Sequence, residues 1–86
     1  MVINFKKTFW KDYEKFPTET KSKIKARLSI FKNNSQNSIL KNHKLQGEFY
    51  GHRSINITAD IRAIYYEIDS NTVSFIRIGT HSELYQ

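Results

Sequence analysis

The sequence predicts an α+β fold, in which an N-terminal helix hairpin packs on a mainly antiparallel sheet of three to four strands. Three observations lead to this prediction. Apolar residues recur at helical spacing in the first third of the chain, the period changes to two at Arg53, and short turns join the strands that follow. A chain of 86 residues has the size of one small domain, so we expect a single domain over residues 1–86.

Two helices account for most of the first 33 residues. The first carries an aromatic stripe with lysines between its members, and this stripe consists of Phe5, Phe9, Tyr13 and Phe16. Pro17 ends this helix, because proline removes a backbone donor. We expect a second helix from about Thr18 to Asn33, with an apolar stripe made of Ile24, Leu28 and Phe31. Both stripes are typical of core residues.

Three strands are expected after the helices, and a short fourth at the start of the chain. Ile55 and Ile57 alternate with polar residues, which indicates a half-buried strand. A second strand covers residues 61–68, and a hairpin turn at residues 69–71 leads to the third strand, residues 72–78. Residues 2–5 are a candidate for the fourth strand.

The excess of positive charge lies entirely in the first half of the chain. Residues 1–44 hold 11 Lys and Arg against 3 Asp and Glu, whereas residues 45–86 hold 3 against 5. This distribution favours a polyanion such as nucleic acid, or an acidic protein, as the partner. A solvated, lysine-rich helix surface would explain the charge equally well.

Several classes of protein lack support in the sequence. There is no cysteine, which excludes disulfides and thiolate metal sites. No His and carboxylate pattern with metal-ligand spacing occurs, and no glycine-rich phosphate loop, so we expect neither metal nor cofactor. The start of the chain lacks the apolar core of a secretory signal, and no apolar run approaches the roughly 20 residues that span a bilayer. We therefore expect a cytoplasmic protein without a membrane partner.

Residues 77–85 bring an arginine, a histidine and a tyrosine together in the sequence. Arginine stabilises phosphate charge, histidine transfers protons near neutral pH, and tyrosine stacks on bases or donates a hydrogen bond. Strand alternation predicts that Arg77 lies on the same face as Val73 and Phe75, where a cation needs an anion. If Arg77 has a structural role, its partner is Asp60 or a glutamate. If it has a functional role, its partner is a phosphate.

Each of these residues also has an ordinary structural interpretation. His81 follows a strand and suits its exposed end, and Asp60 suits a turn between strands. Tyr85 suits packing near the end of the chain, and His43 suits a solvent-exposed basic segment. The pattern alone leaves both interpretations open.

Four segments occur in order in the second half of the chain, at residues 43–47, 53–57, 60–65 and 77–85. The last segment contains the sharpest signature, G-T-H-S-x-L followed by an aromatic residue, at residues 79–85. Together these segments resemble the RelE superfamily of bacterial toxins, and its YafQ branch most closely. The helix hairpin agrees with the fold of that superfamily.

The resemblance implies a metal-independent endoribonuclease that cleaves mRNA, usually on the ribosome, and so inhibits translation. It also implies a cognate antitoxin protein that holds the enzyme inactive in a toxin–antitoxin hetero-oligomer. The catalytic positions of the family fall on His43, Asp60, Arg77, His81 and Tyr85. In the expected transesterification, the ribose 2′-OH attacks the adjacent phosphorus and the 5′-oxygen leaves.

Each catalytic position has an expected role in that reaction. His43 is the candidate base and His81 the candidate acid. Asp60 orients a histidine or acts as a base itself, Arg77 stabilises the phosphorane, and Tyr85 contacts the nucleotide. Further candidates for binding RNA are the basic residues around the predicted strands, namely Lys41, Lys44, His52, Arg53 and Arg62.

Two positions depart from the YafQ pattern. That pattern often has a histidine where this chain has Asn56, and a tryptophan where it has Ile61. Asparagine forms hydrogen bonds but does not transfer protons near neutral pH. His52, four residues earlier, is a candidate substitute for the missing histidine.

Three alternatives remain open, and these departures favour only the first of them. The first is a non-catalytic module that binds RNA or the ribosome, and the second is a ParE-like toxin of the same fold that poisons DNA gyrase. The ParE branch lacks the ending with arginine and histidine, so residues 77–81 argue against it. The third is a basic structural domain.

Overall fold

The computed structural model describes residues 1–85, which form five β-strands and three α-helices. In chain order these are β1 (Val2–Phe5), α1 (Lys7–Glu14), α2 (Thr18–Asn33), β2 (His43–Lys44), β3 (Arg53–Asn56), β4 (Ile61–Asp69), β5 (Thr72–Thr80) and α3 (His81–Leu84). Two short 3-10 helices cover Ser38–Leu40 and Gly47–Phe49. Within residues 1–85, no helix is both long enough and apolar enough to cross a membrane.

The five strands form one mixed sheet in the order β1-β5-β4-β3-β2. β1 runs parallel to β5, and the other neighbouring strands are antiparallel. The predicted α+β fold and the fourth strand at residues 2–5 are therefore confirmed. The sheet has one strand more than predicted, because β2 is only two residues long and two residues produce no alternating pattern.

Helix α2 occupies the predicted range, whereas α1 is shorter than its aromatic stripe suggested. Phe5 belongs to β1, and α1 begins at Lys7. The backbone N–H of Lys6 donates to the carbonyl of Phe75 at 2.9 Å, which extends the pairing of β1 with β5. Phe5 and Lys6 are therefore extended, because they form hydrogen bonds with β5, although the spacing of Phe5 in the sequence fits a helix.

The main core lies between the helices and one face of the sheet. Phe9 of α1, Ile24 and Phe31 of α2, and Phe75 of β5 are completely buried there. The rings of Phe31 and Phe75 meet edge to face, with centroids 5.2 Å apart. The predicted helix stripes are thus core residues, and α1 and α2 cover this face together.

The opposite face of the sheet carries a smaller apolar cluster. Leu45, Ile64 and Leu84 are buried in it, with Phe49 and Tyr85 packed at its margin. Because no long helix covers this face among the described residues, polar side chains near the cluster remain accessible.

A β-bulge in β5 changes which side chains face the helices. The register places Phe75 and Arg77 opposite consecutive residues of β4, which makes Ile76 an extra residue. Ile78 rather than Arg77 therefore joins Phe75 in the main core. The prediction that Arg77 shares a face with Val73 and Phe75 is wrong, because the bulge breaks the alternation.

Beyond the end of β1, helix α1 lies along the open edge of β5. The hydroxyl of Thr8 donates to the carbonyl of Ile76, and a carboxylate oxygen of Asp12 accepts from the backbone N–H of Ile78 at 3.0 Å. The same carboxylate binds the guanidinium of Arg77, with Nε–Oδ2 at 2.6 Å and Nη2–Oδ1 at 3.3 Å. Side chains of α1 thus take the place of a neighbouring strand and form hydrogen bonds with the backbone groups at this edge of β5.

We expect Asp12→Ala to lower the free energy of unfolding by about 1–3 kcal/mol, because it leaves the backbone N–H of Ile78 without its partner. Chemical denaturation monitored by circular dichroism measures this change. Glu14→Ala is the matched control on the same helix, because the Glu14 side chain is 72% exposed in its pair with Lys21. It should cost less than about 1 kcal/mol. Equal losses in the two variants would contradict the role given to Asp12.

Candidate active site

An open pocket of about 220 Å³ lies on the face of the sheet opposite the long helices. Four of the predicted site residues line it, on β2, β4 and the segment around α3: His43, Arg62, His81 and Tyr85. Leu45, Gln46 and Ser54 complete the lining. Its volume is below the roughly 300–1,000 Å³ of enclosed small-molecule sites, so it suits one unit of a polymer better than an engulfed ligand.

The side chain of His43 is held in one orientation by the backbone. Its Nδ1 lies 2.8 Å from the carbonyl oxygen of Lys41. A carbonyl oxygen only accepts hydrogen bonds, so Nδ1 carries the proton and, in the neutral ring, Nε2 carries the lone pair. Lys41 adopts the left-handed conformation, with φ at 48°. With the backbone in this conformation, the carbonyl of Lys41 lies beside the imidazole of His43.

A polar network fixes the segment that carries His43. The side-chain nitrogen of Asn42 donates to the carbonyl of Ser35 at 2.9 Å and to the hydroxyl of Tyr65 at 2.8 Å. Its oxygen accepts from Nε of Arg53 at 2.8 Å. Burial raises the pKa of the Tyr65 phenol, so this hydroxyl stays protonated. Arg53 therefore holds the loop through Asn42, in addition to its predicted contact with RNA.

Arg62 presents a cation whose position is set by carbonyl groups. Its Nη1 donates to the carbonyls of Thr58 and Ala59, at 3.1 and 2.9 Å. Among residues 1–85, its Nε and Nη2 have no hydrogen-bond partner in the protein, and no carboxylate forms an ion pair with it. The guanidinium is therefore anchored on one nitrogen and keeps its charge and two other nitrogens for an anion.

Helix α3 carries His81 and leads to Tyr85, and a capping box fixes its start. The hydroxyl of Thr80 accepts from the backbone N–H of Glu83, whose carboxylate accepts from the backbone N–H of Thr80 at 2.8 Å. The backbone N–H of His81 donates to the carbonyl of Asp60 at 3.1 Å. The rings of His81 and Tyr85 lie with centroids 4.8 Å apart. Together these contacts set the position of both side chains.

Gly79 allows α3 to fold back closely on β5. A Cβ atom at this position would lie 3.2 Å from Oε1 of Glu83 and 3.4 Å from Cδ2 of Leu84. The first of these distances is tighter than an ordinary contact, so a side chain here would press on the carboxylate of the cap. The glycine of the sequence signature is thus explained by close packing rather than by a turn with positive φ.

The hydrogen bonds of the capping box also act on the acidity of Glu83. The backbone N–H of Thr80 and then its hydroxyl hold the pKa of the Glu83 carboxyl below its usual range. The folded state therefore favours the ionised form of this side chain.

Three of the candidate RNA-binding residues line a neighbouring pocket of about 200 Å³. These residues are Lys44, His52 and Arg53, and the exposed ring of Tyr50 lies beside them. His52 is therefore in a different pocket from His43 and His81. Its ring packs edge to face on that of Tyr66, at 5.5 Å between centroids.

The remaining predicted residues lie outside both pockets. Arg77 lines a separate cavity beside Asp12, so its anionic partner is Asp12 rather than Asp60. Asp60 is exposed on the connection between β3 and β4 and contacts α3 through its backbone carbonyl. Lys41 is exposed and acts on His43 through its carbonyl.

Sequence reasoning did not anticipate the roles of Asp12, Asn42 and Ser54. Asp12 looks like an ordinary surface residue of an amphipathic helix, and its contact with β5 spans 65 residues of the sequence. Asn42 lies in a polar loop with no motif of its own. The position of Ser54 could have been predicted. Neighbouring residues of a strand point to opposite faces, so Ser54 lies on the face away from the core that contains Ile55. Within residues 1–85, no group of three His, Asp or Glu residues could hold a metal ion.

Comparison with protein families gives a match over the whole chain. Residues 1–86 match the family model described as a bacterial toxin of a type II toxin-antitoxin system, YafQ. No curated protein matches the sequence.

Several solved toxin structures have the same fold. YafQ from E. coli strain BL21(DE3) is 26% identical, with a TM-score of 0.82 over 98% of this chain and 97% of that one. The toxin of the E. coli DinJ–YafQ toxin–antitoxin complex is 27% identical, with a TM-score of 0.78 over 98% and 96%. A chain of the Staphylococcus aureus YoeB–YefM complex is 25% identical, with a TM-score of 0.73 over 94% and 97%.

The cap of α3 should depend on pH in a defined direction. Because the folded state lowers the pKa of Glu83, its stabilisation is present at neutral pH and is lost as the pH falls through that lowered value. We expect the difference in melting temperature between wild type and Glu83→Ala to shrink below about pH 4. Glu83→Gln keeps an acceptor that does not titrate, so the difference in melting temperature between Glu83→Gln and Glu83→Ala should stay constant with pH. A Glu83→Ala difference that grows on acidification would contradict this assignment.

Proposed function

Because the chain belongs to the YafQ family of bacterial toxins of type II toxin-antitoxin systems, we propose that it is an endoribonuclease that cleaves mRNA on the ribosome and inhibits translation. One observation carries the proposal: two histidines line one open pocket together with an arginine that has no carboxylate partner among residues 1–85. This set supplies a base, an acid and a cation, which are sufficient for cleavage of RNA without a metal.

His43 is the proposed general base. Its Nδ1 is occupied by the carbonyl of Lys41, so Nε2 is the nitrogen available to accept the proton of the ribose 2′-OH. The activated 2′-oxygen then attacks the adjacent phosphorus. Asn42 supports this step indirectly, because its three hydrogen bonds hold the loop next to His43.

His81 is the proposed general acid, which donates a proton to the departing 5′-oxygen. It lines the pocket together with His43 and begins a helix whose cap fixes the local backbone. Tyr85 lies against its ring and is proposed to stack on the base of the bound nucleotide. Asp60 contributes through its carbonyl, which binds the backbone of His81.

Arg62 is the proposed cation for the negative charge that develops on the phosphorane. Its guanidinium is anchored by carbonyls and carries no bound carboxylate among residues 1–85. Arg77, which the family pattern suggests for this role, has its charge compensated by Asp12 in another cavity. We therefore propose that Arg77 acts on the fold and that Arg62 acts on the substrate.

The neighbouring pocket extends the proposed RNA track. Lys44, His52 and Arg53 line it. Lys44 directly follows His43 in β2, so the two pockets are adjacent. We propose that these residues bind phosphates next to the cleaved one, and that Lys41 contributes a further exposed charge. Under this proposal His52 binds RNA and does not replace the histidine that relatives often have at Asn56.

We propose a cognate antitoxin as the protein partner, in a toxin–antitoxin hetero-oligomer in the cytoplasm. The DinJ–YafQ and YoeB–YefM complexes are assemblies of this kind, and both contain a chain similar to this one. The positive charge of the first 44 residues is complementary to an acidic partner segment.

Asn56 favours one alternative function, a module that binds RNA or the ribosome without cleaving it. This residue is half-buried and lies opposite Arg62 in the sheet, on the side of the pocket. Asparagine cannot replace the histidine of relatives as a proton carrier. This alternative predicts binding of ribosomes or RNA with no cleavage.

We expect His81→Ala to slow cleavage by about 10²- to 10⁴-fold, because loss of one general acid or base has this effect. Primer extension on mRNA in a reconstituted translation reaction, with and without ribosomes, measures the cleavage. The products of the wild type should carry a 2′,3′-cyclic or 3′-phosphate and a 5′-OH. A 5′-phosphate product would rule out the mechanism, and ribosome binding without cleavage would favour the alternative.

Arg62→Ala and Arg77→Ala should differ in what they change. We expect Arg62→Ala to reduce the cleavage rate by about 10²- to 10³-fold, because it removes charge stabilisation of the transition state, and to lower the melting temperature less than Arg77→Ala does. Arg77→Ala should mainly lower the melting temperature, since Arg77 contacts Asp12 outside the pocket. Rate measurements well below each melting temperature separate the two effects. The reverse pattern would assign the phosphorane to Arg77.

A further inference from the structure

Ser54 lines the pocket and has a buried hydroxyl without a partner. The residue is completely buried in β3, and its Oγ makes no hydrogen bond within residues 1–85. Across the sheet it lies directly opposite His43. An unpartnered buried hydroxyl is costly, by roughly 1–3 kcal/mol, so its presence in a functional pocket calls for a ligand.

The second buried hydroxyl without a partner belongs to Ser74 and provides a comparison. Ser74 is also completely buried, in β5, and its Oγ likewise has no hydrogen bond within the described residues. It lies opposite Tyr66 and Asn4 and is not part of the pocket lining. The two serines thus share burial and differ in their access to the proposed substrate.

We propose that the hydroxyl of Ser54 binds the 2′-oxygen of the nucleotide at the cleavage site, an inference that rests on the proposed ribonuclease function. Directly opposed residues of antiparallel strands have Cβ atoms about 4.5–5.5 Å apart. A 2′-OH that donates to Nε2 of His43 therefore lies near Ser54 and still has lone pairs to accept from it. Ser54 would hold the nucleophile while His43 removes its proton, which favours the geometry of attack.

The pocket permits this contact despite the burial of Ser54. The residue forms part of the pocket floor, and the side chains of His43 and Gln46 at the rim are exposed. The exposed side chain of Gln46 changes rotamer readily and can turn aside for a ribose, while His43 keeps the orientation that the carbonyl of Lys41 sets. Rotation about χ1 then directs the serine hydroxyl towards the pocket.

The test compares Ser54→Ala with Ser74→Ala in two measurements. The first is the melting temperature, which should stay unchanged or rise in both variants, because each loses a buried group without a partner. The second is single-turnover cleavage of mRNA on programmed ribosomes. We expect roughly a 3- to 10-fold slower rate for Ser54→Ala and the wild-type rate for Ser74→Ala.

A modified mRNA identifies the oxygen that Ser54 binds. An mRNA with a single 2′-deoxy nucleotide at the cleavage site resists cleavage and serves as a competitor. For the wild type, it should compete less well than an otherwise identical mRNA with a 2′-fluoro group there. Ser54→Ala should reduce this difference by the same 3- to 10-fold, whereas Ser74→Ala should retain it.

Each outcome decides the proposal. Wild-type cleavage by Ser54→Ala, or equal losses in both serine variants, would overturn the role of Ser54 while leaving the ribonuclease intact. Absence of cleavage by the wild type would instead refute the proposed function, and this inference with it. If Ser54→Ala has a lowered melting temperature, Ser54→Cys fills the same space with a weaker donor. Its rate should still fall, and a wild-type rate would overturn the proposal.

Discussion

The rest of the structure depends on the contact between the carboxylate of Asp12 and β5. This carboxylate binds the backbone N–H of Ile78 and the guanidinium of Arg77 at the same time. Without it, the backbone N–H of Ile78 would be unpaired beyond the end of β1, and Arg77 would lose its anionic partner at the edge of the sheet. β5 continues directly into α3, so this contact near the start of the chain also constrains where His81 lies. One strand thus connects the packing of the helix face with the geometry of the pocket face.

The open edge of β5 and the pocket use polar groups in opposite ways. On the edge beside α1, Arg77 meets a carboxylate and its charge is neutralised, which serves packing. In the pocket, Arg62 and His43 are oriented by neutral carbonyl oxygens instead. A carbonyl fixes a side chain without cancelling its charge or consuming its remaining nitrogens. This difference, more than the presence of an arginine or a histidine, distinguishes a group prepared for an anionic substrate from one committed to the fold.

Sequence patterns predicted the elements well where the signal was local. Helix α2 and the hairpin between β4 and β5 follow from periodicity and turn residues. The family resemblance singled out His43 and His81, and the structure places both of them in one pocket. The face of Arg77 was not predictable, because a one-residue bulge leaves no mark in the alternation of the sequence. The partner of Arg77 was missed for a related reason, since a contact across 65 residues depends on how α1 docks. Strand β2 was missed because two residues form no pattern.

The parallel pairing of β1 with β5 has a consequence for the order of folding. Val2 lies beside Thr72, so the sheet joins the beginning of the chain to a strand that is synthesised about 70 residues later. Contacts of such high sequence separation form late, because closing the intervening loop costs entropy before the contact can stabilise anything. The helices can form early during synthesis, but the pocket requires β5 and α3. A nascent chain therefore lacks the assembled pocket until those segments have emerged, so any activity of the pocket begins only when nearly the whole chain has been synthesised.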